Sequence, residues 1–330
     1  MPRITDLHFV TLIAASALAL AACSKKEEAA PEATAPAAAP VAEAAPPAPP
    51  KPANVSTFMI GQLSASALRD GTLEFPNDNK IFGVGHTPED VAALLSAAGQ
   101  ATDKIHLDLD PLLVKSGDRV LLFDTGAGSN FGPTAGQLPL SLQEAGVDAQ
   151  SVTDIFISHV HGDHVGGIVN PEGAPTFPNA KIHISKPEWK FLSGLKAEQA
   201  AGMGVKNFDA LIAAMKAKLD AFTPGADLVP GVVKAVEIKG HTPGHSGYQI
   251  TSGTDSVLYI GDAMHSSIVS VQKPDWPMSF DSDQKVGAAS RTSLLAQLAA
   301  SGQRVYAVHF PFPGVGRIEK RGEGYVWVAE

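Results

Sequence analysis

Short apolar runs bounded by turn-forming residues recur along the chain from about residue 57 and predict β-strands. Two of these runs end in residues that carry chemistry. The run 155–158 leads directly into a histidine-rich stretch, and the run 257–261 ends at Asp262. The predicted strands are 57–63, 119–124, 155–158, 181–185, 232–238, 246–251, 257–261 and 305–309.

Apolar residues at helical spacing predict α-helices between the strands. Thr87 offers a cap, with Pro88 in the first turn, acids near the positive end of the helix and a stop at Gly99. Two further apolar faces consist of Phe208, Leu211, Ile212, Met215 and Leu219, and of Leu294, Leu295 and Leu298. Strands and helices mixed in this way indicate an α/β (α+β) domain, with sheet packed on sheet and helices outside.

The first 53 residues have a different composition. Residues 10–22 form an apolar run too short to span a bilayer, which predicts a signal peptide over 1–22. The run ends Leu-Ala-Ala-Cys at Cys23, the single cysteine, and resembles the bacterial lipobox, in which the cysteine is lipidated. An ordinary export signal with an incidental cysteine is the alternative. The Ala- and Pro-rich stretch from Cys23 to residue 53 is expected to be a disordered tether.

This organisation predicts an exported protein, anchored by lipid in the bacterial envelope and facing the periplasm or the exterior. Ser24 after the cysteine suggests the outer membrane by analogy with known lipoproteins. Residues 54–330 remain for a single large domain. The formal charge of −9 and the lack of a basic run argue against nucleic acid as a partner.

The stretch His-Val-His-Gly-Asp-His at 159–164 supplies three imidazoles and a carboxylate. His159 and His161 are two apart, so in an extended segment they project to the same side and can bind one ion. Gly162 permits a bend that turns Asp163 and His164 toward a second position. Imidazole and carboxylate suit zinc and its borderline neighbours, and this density of ligands predicts a metal site.

Together with Gly-His-Thr-Pro-Gly-His at 240–245, Gly-Asp-Ala at 261–263 and His309, this stretch resembles the metallo-β-lactamase-fold hydrolases. The resemblance runs from about Asn54 to Glu330 and is nearest to the branch of methyl parathion hydrolase and related lactonases. Phrases that carry the finer resemblance include Leu-Phe-Asp-Thr-Gly at 122–126, Asn-Phe-Gly-Pro-Thr at 130–134 and Phe-Asp-Ser-Asp at 280–283. The resemblance implies a four-layer αββα sandwich.

It also implies a site for two divalent metal ions, with zinc as the first choice and manganese, cobalt or iron as alternatives. The implied ligands of one ion are His159, His161 and His245; those of the other are Asp163, His164 and His309. Asp262 would bridge the pair, and with Asp163 it is predicted to be a catalytic residue. His241 is expected to pack its loop or support a ligand, and Asp124 to orient a histidine-bearing loop from behind the ligands.

The predicted chemistry is attack by a metal-bridging hydroxide on a small neutral ester, either an organophosphate triester such as methyl parathion or a lactone. A β-lactam hydrolase is an alternative enzyme, and a non-catalytic zinc-binding envelope lipoprotein is an alternative of another class. The resemblance further suggests a homodimer. The predicted substrate pocket includes the four aromatic residues Phe131, Trp189, Phe191 and Phe208, together with His265.

Overall fold

The computed structural model describes residues 53–330. The predicted signal peptide (1–22), the predicted lipidation site Cys23 and the tether up to residue 52 lie outside the described residues. Across the described range, no helix has both the length and the apolar character needed to span a bilayer.

The strands in chain order are β1 (Val55–Ile60), β2 (Leu63–Leu68), β3 (Gly71–Pro76), β4 (Lys104–Leu109), β5 (Leu112–Ser116), β6 (Arg119–Phe123), β7 (Asp154–Phe156), β8 (Lys181–Ser185), β9 (Leu219–Phe222), β10 (Asp227–Val229), β11 (Val233–Glu237), β12 (Ser246–Ser252), β13 (Asp255–Tyr259), β14 (Arg304–Tyr306), β15 (Val315–Arg321) and β16 (Gly324–Ala329). One sheet has the order β1-β2-β5-β6-β7-β8-β9 and a second runs from β10 to β16 in sequence. Strands β3 and β4 form a separate antiparallel pair.

The helices are α1 (Pro88–Ala97), α2 (Leu138–Glu144), α3 (Gly162–Val165), α4 (Lys186–Ser193), α5 (Ala197–Gly202), α6 (Phe208–Ala217), α7 (Val269–Gln272) and α8 (Gln284–Ser301). Helix α1 begins as predicted. The Thr87 hydroxyl accepts from the Asp90 N–H at 3.2 Å, and the Asp90 carboxylate accepts from the Thr87 N–H at 2.9 Å. This reciprocal capping satisfies two backbone donors that the first turn would otherwise leave free.

The two seven-stranded sheets pack face to face, and helices cover their outer faces. Phe123 and Phe156 of the first sheet stack at 4.9 Å between ring centroids and meet Tyr248 and Tyr259 of the second sheet in one buried cluster. Leucines and Met215 from α2, α4 and α6 cover the first sheet, and Leu295 and Leu298 of α8 help to cover the second. This arrangement confirms the predicted mixed α/β sandwich.

Two details of the predicted elements are wrong. The run 57–63 is not one strand, because the chain turns at Gly61 and Gln62 to pair β1 with β2. Gly61 takes a positive φ of 55°, which glycine adopts without the clash that a Cβ would cause. Leu219 does not extend the apolar face of α6, since that helix ends at Ala217 and Leu219 begins β9.

The pair β3–β4 and helix α1 form a small additional layer beside the sandwich. Its apolar side chains, among them Phe82, Val91 and Leu107, pack with Val269 and Met278 from the segment around α7. This layer lies at the edge of the sandwich where the loops with the histidine and aspartate motifs emerge. It can therefore form one wall of a cleft at that edge.

Candidate metal centre

The histidines and carboxylates of the motifs follow the carboxyl ends of two pairs of parallel strands. Strands β6 and β7 run parallel in the first sheet, and β13 and β14 run parallel in the second. Asp124 follows β6, the 159–164 stretch follows β7, Asp262 follows β13 and His309 follows β14. Parallel strands end at the same edge of a sheet, so motifs far apart in sequence meet there.

The first group of metal-binding atoms consists of ring nitrogens of His159, His161 and His241 and one oxygen of Asp262. His241 Nε2 lies 3.1 Å from His159 Nε2 and 3.0 Å from His161 Nδ1. Asp262 Oδ2 is 3.4 Å from His159 Nε2 and 3.2 Å from His241 Nε2. Four ligands about 2.0–2.1 Å from a tetrahedral zinc ion lie roughly 3.3–3.4 Å from one another, which is close to this spacing.

The electrostatics of this group also fit a cation. Burial and the neighbouring imidazoles lower the pKa of His159 and of His161 well below the usual range, which leaves their rings neutral. Burial opposes protonation of His241, but Asp262 and Asp281 raise the pKa of its imidazole to about 9. The two carboxylates thus favour positive charge at this point. One proton on His241 can be shared with a single acceptor, whereas one metal ion can contact all four ligand atoms.

The second group consists of Asp163, His164 and His309. The Nε2 atoms of His164 and His309 are 3.3 Å apart, and Asp163 Oδ2 lies 3.7 Å and 3.6 Å from them, respectively. The side chain of Asp163 is the most exposed of the three, at 13% against 0% and 1%. The structure therefore brings together the residues predicted for the second ion.

Asp262 stands between the two groups. Its Oδ2 faces His159 and His241, while its Oδ1 lies 3.1 Å from both His164 Nε2 and His309 Nε2. Oδ1 is buried and has no hydrogen-bond partner within residues 53–330. Burial raises the pKa of this carboxyl, but the surrounding imidazoles outweigh burial and hold the pKa well below its usual value. An ionised carboxylate with an unpaired buried oxygen fits a bridge between two cations.

Oxygen atoms behind the site fix the orientation of its imidazoles. His164 Nδ1 is 2.8 Å from Asp124 Oδ2, and this carboxylate also accepts from the Ser158 hydroxyl at 2.6 Å and the Tyr259 hydroxyl at 2.7 Å. Asp124 thus lies where the sequence predicts it. His309 Nδ1 faces the Asp108 carbonyl at 2.9 Å, so its other nitrogen points into the site.

His241 is held in the same way. Its Nδ1 lies 3.1 Å from Asp281 Oδ1, and the buried guanidinium of Arg291 donates to the other oxygen of that carboxylate at 3.3 Å. Arg291 also donates to the carbonyls of Pro274 and Trp276, so α8 supports the loop that carries Asp281.

The predicted roles of His241 and His245 are reversed in the structure. His245 Nδ1 faces the Ile238 carbonyl at 3.0 Å, and its Nε2 accepts from the Asp262 N–H at 2.9 Å. With both nitrogens engaged by backbone groups, His245 supports Asp262 from behind and does not join the ring nitrogens of the first group. The turn between the two histidines sends His241, and not His245, into the cleft.

This reversal predicts different outcomes for two substitutions. His241→Ala should remove about one metal equivalent and lower kcat/KM by at least about a hundredfold, because it deletes a ligand and not merely its support. His245→Gln, whose amide oxygen can still accept the Asp262 N–H, should retain two metal equivalents. Elemental analysis and steady-state kinetics on both variants check this. If His241→Ala retained both metals and His245→Gln lost one, His245 would be the ligand, as the sequence predicted.

The metal-binding groups open into a cleft of about 350 Å³. Phe131 lines it, as predicted, and so does His265, whose Nε2 lies 2.9 Å from Asp262 Oδ2. Burial lowers the pKa of His265. Most of the apolar wall was not predicted from the sequence; it consists of Leu73, Phe75, Leu107, Met203 and Phe280.

The predictions that Trp189, Phe191 and Phe208 line the pocket are wrong. These residues lie on α4 and α6, which cover the first sheet, and their partly buried rings pack against its hydrophobic core. Alternation of Leu73 and Phe75 with polar neighbours in β3 was a signal for a strand with one apolar face. The alternation alone could not show that the apolar face of this strand lines a cleft.

A larger cavity of about 570 Å³ lies elsewhere, beside α2. Its lining is mostly apolar and, within the described residues, contains no histidine. Its buried carboxylate, Asp70, accepts backbone N–H groups of Ala127, Gly136 and Leu138. Because it holds no cluster of metal-binding atoms, we place the candidate site in the smaller cleft.

Comparisons with known proteins show which family and which structures this chain is similar to. A family model described as the metallo-beta-lactamase superfamily matches residues 111–297. A solved structure described as AidC, a dizinc quorum-quenching lactonase in complex with a product, is 31% identical and superposes with a TM-score of 0.77 over 84% of this chain and 97% of that one. Another, described as the hydrolase AbOPH in the beta lactamase superfamily, is 29% identical with the same TM-score, over 85% and 99% of the two chains.

Curated relatives match over shorter stretches. Ribonuclease Z of Salinibacter ruber is 37% identical over 79 residues, 24% of this chain and 21% of the relative. A probable metallo-hydrolase of Mycobacterium tuberculosis is 25% identical over 191 residues, 47% of this chain and 56% of the relative. The chain thus spans about a fifth of the first relative and just over half of the second.

Proposed function

Because this chain belongs to the metallo-β-lactamase superfamily, we propose that it is a hydrolase that holds two divalent metal ions and cleaves small neutral esters, with lactones as the leading class. One observation carries the proposal: the two oxygens of the buried Asp262 carboxylate face two separate groups of imidazoles. A single structural ion would need only one of these groups. Two groups joined by a carboxylate are the arrangement of a paired-metal site.

The proposed ligands divide between two metal ions. His159, His161 and His241 would hold one ion, Asp163, His164 and His309 the other, and Asp262 both. Zinc is the first choice for these donors. When bound, such a pair of ions supplies a water of pKa about 7 and a positive centre that polarises a carbonyl or phosphoryl oxygen.

The protein's own residues contribute positioning and proton transfer. The neutral imidazole of His265 donates from Nε2 to Asp262 Oδ2 and fixes that carboxylate on the cleft side. Asp163, partly exposed at the cleft, offers a carboxylate oxygen to accept a proton and pass it to a leaving alkoxide. The Phe and Leu side chains of the wall exclude water from the part of the substrate that does not react.

The lining of the cleft supports a neutral substrate with an apolar substituent. Phe75 and Phe280 meet edge to face at 5.4 Å between ring centroids, and both line the cleft with Phe131. An acyl chain of a lactone fits such a wall, and similarity to the lactonase structure favours this class. An organophosphate triester is the second class, because the aromatic wall equally suits an aryl leaving group.

A substrate panel normalised to metal content tests the proposal. We expect the zinc-loaded protein to hydrolyse an N-acyl homoserine lactone with the highest kcat/KM, an aryl phosphotriester more slowly, and the β-lactam nitrocefin not at all. Preference for nitrocefin would instead support a β-lactam hydrolase. A protein that holds two metal equivalents but is inert toward the whole panel would be a metal-binding lipoprotein and not an enzyme.

We also propose that the protein is exported and anchored through lipid on Cys23. The support is the apolar run and the lipobox-like end described from the sequence. Full-length protein should fractionate with membranes and require detergent for release, whereas Cys23→Ser should appear in the soluble envelope fraction. Release of the wild-type protein by salt alone would contradict lipid anchoring.

A further inference from the structure

Glu188 is a buried carboxylate that the proposed chemistry does not use. It lies in the first turn of α4 and is 0% exposed. Its Oε1 accepts from the Val160 N–H at 3.0 Å, and its Oε2 accepts from the Gly244 N–H at 2.8 Å. Burial raises the pKa of this carboxyl to about 7, although the Thr242 side chain and these two N–H groups favour the ionised form. Because burial makes ionisation of this carboxyl costly, the contacts that it makes require an explanation.

The two N–H groups belong to the two loops that supply the three imidazoles of the first group of metal-binding atoms. Val160 stands between His159 and His161, and Gly244 follows His241 by three residues. One carboxylate thus connects two loops that come from different sheets of the sandwich, through the backbone and not through the imidazoles themselves.

The start of α4 holds the second loop in two further ways. The hydroxyl of Ser185, which caps the helix, donates to the Gly244 carbonyl at 2.6 Å and accepts from the Glu188 N–H at 3.2 Å. Gly244 approaches so closely that an added Cβ would collide with the Glu188 backbone and the Ser185 hydroxyl. The loop therefore has little room to move independently of α4.

We propose that Glu188 is a positioning residue that fixes the spacing between the ring nitrogens of His159, His161 and His241, and so the geometry of the first metal site. The inference rests on the proposed metal-binding function. Asp281 orients one of these rings, whereas Glu188 sets the separation of the loops that carry all three. An amide in its place has one acceptor oxygen, so its NH₂ group would face one of the two N–H donors and push that loop away.

Cobalt spectroscopy on the full-length protein tests this without any substrate. Glu188→Gln is loaded with Co²⁺ at pH 8, above the pKa of about 7, and its visible d–d absorption is compared with that of the wild type. We expect a changed band position and intensity and a metal affinity weaker by about tenfold or more. With a substrate of the panel, kcat should fall more than KM rises.

Asp154→Asn is the matched control. Asp154 is also a buried carboxylate, but it binds Arg119 and His183 and begins β7, whereas the 159–164 stretch follows the other end of that strand. This variant should lose stability and keep the wild-type cobalt spectrum. If Glu188→Gln likewise loses only stability and keeps the spectrum and metal affinity, Glu188 is a structural residue and the inference fails.

A second variant is needed in case Glu188→Gln does not fold. Glu188→Asp keeps both carboxylate oxygens but shortens the side chain that reaches the Val160 and Gly244 N–H groups, so its cobalt spectrum should also change; an unchanged spectrum would overturn the inference. The outcome for the proposed function is separate. If the wild-type protein binds no Co²⁺, the proposed metal centre is wrong. If the wild-type protein binds two Co²⁺ ions and the variants do not differ from it, only the role proposed for Glu188 is wrong.

Discussion

Removal of the metal ions by a chelator is expected to abolish ester hydrolysis and to lower the thermal stability of the protein. Activity should vanish because the lining of the cleft offers no alternative nucleophile, such as a serine or cysteine beside a histidine base. Ser279 and Ser282 line the cleft, but neither is hydrogen-bonded to an imidazole. Activity of the dialysed protein, measured before and after addition of zinc, cobalt or manganese, checks this.

Stability should fall for a thermodynamic reason. A ligand that binds only the folded state stabilises it by about 4 kcal/mol when its free concentration is about a thousand times Kd. Calorimetry of the metal-free and metal-loaded forms should therefore show a clear difference in Tm. A control with chelator already saturated by zinc separates metal removal from direct effects of the chelator. Full activity in protein shown by elemental analysis to be free of metal would refute the proposed mechanism.

Replacement of Asp262 should cause the largest loss of any single substitution. Asp262→Ala removes the carboxylate that faces both groups of imidazoles, so metal content should fall below two equivalents and kcat/KM should fall by at least about a hundredfold. Asp262→Asn keeps the shape but replaces one ligand oxygen by NH₂, so it should be almost as damaging. Metal analysis together with lactone and phosphotriester kinetics measures both effects.

Asp154→Asn again serves as the control, since it changes a buried carboxylate outside the cleft and should retain both metals. If Asp262→Ala hydrolysed the lactone at the wild-type rate with two metals still bound, the proposal would be refuted.

The sequence alone indicated a mixed α/β domain and a metal-binding stretch because both depend on local patterns, whereas the four-layer sandwich and the ligand set came from the resemblance of its motifs to a known family. The spacing within 159–164 places donors together whatever the rest of the chain does, and strand ends at Asp124, Asp262 and His309 follow from apolar runs that stop at a polar residue. The capped start of α1 was equally readable, since the capping residues lie three apart in sequence.

Only the tertiary structure decided which histidine of the 240–245 loop faces the cleft. His241 and His245 flank the same Thr-Pro-Gly turn, and the turn does not tell which side meets the other loops. The choice follows from contacts with distant groups: the Asp281 carboxylate orients His241, and the Asp262 N–H occupies His245. The apolar wall was hidden for the same reason, because side chains from β3, β4 and the loop at Phe280 meet there only after the layers have packed. Periodicity marks a residue as apolar, but whether it covers a sheet or lines a cleft depends on which layer lies opposite.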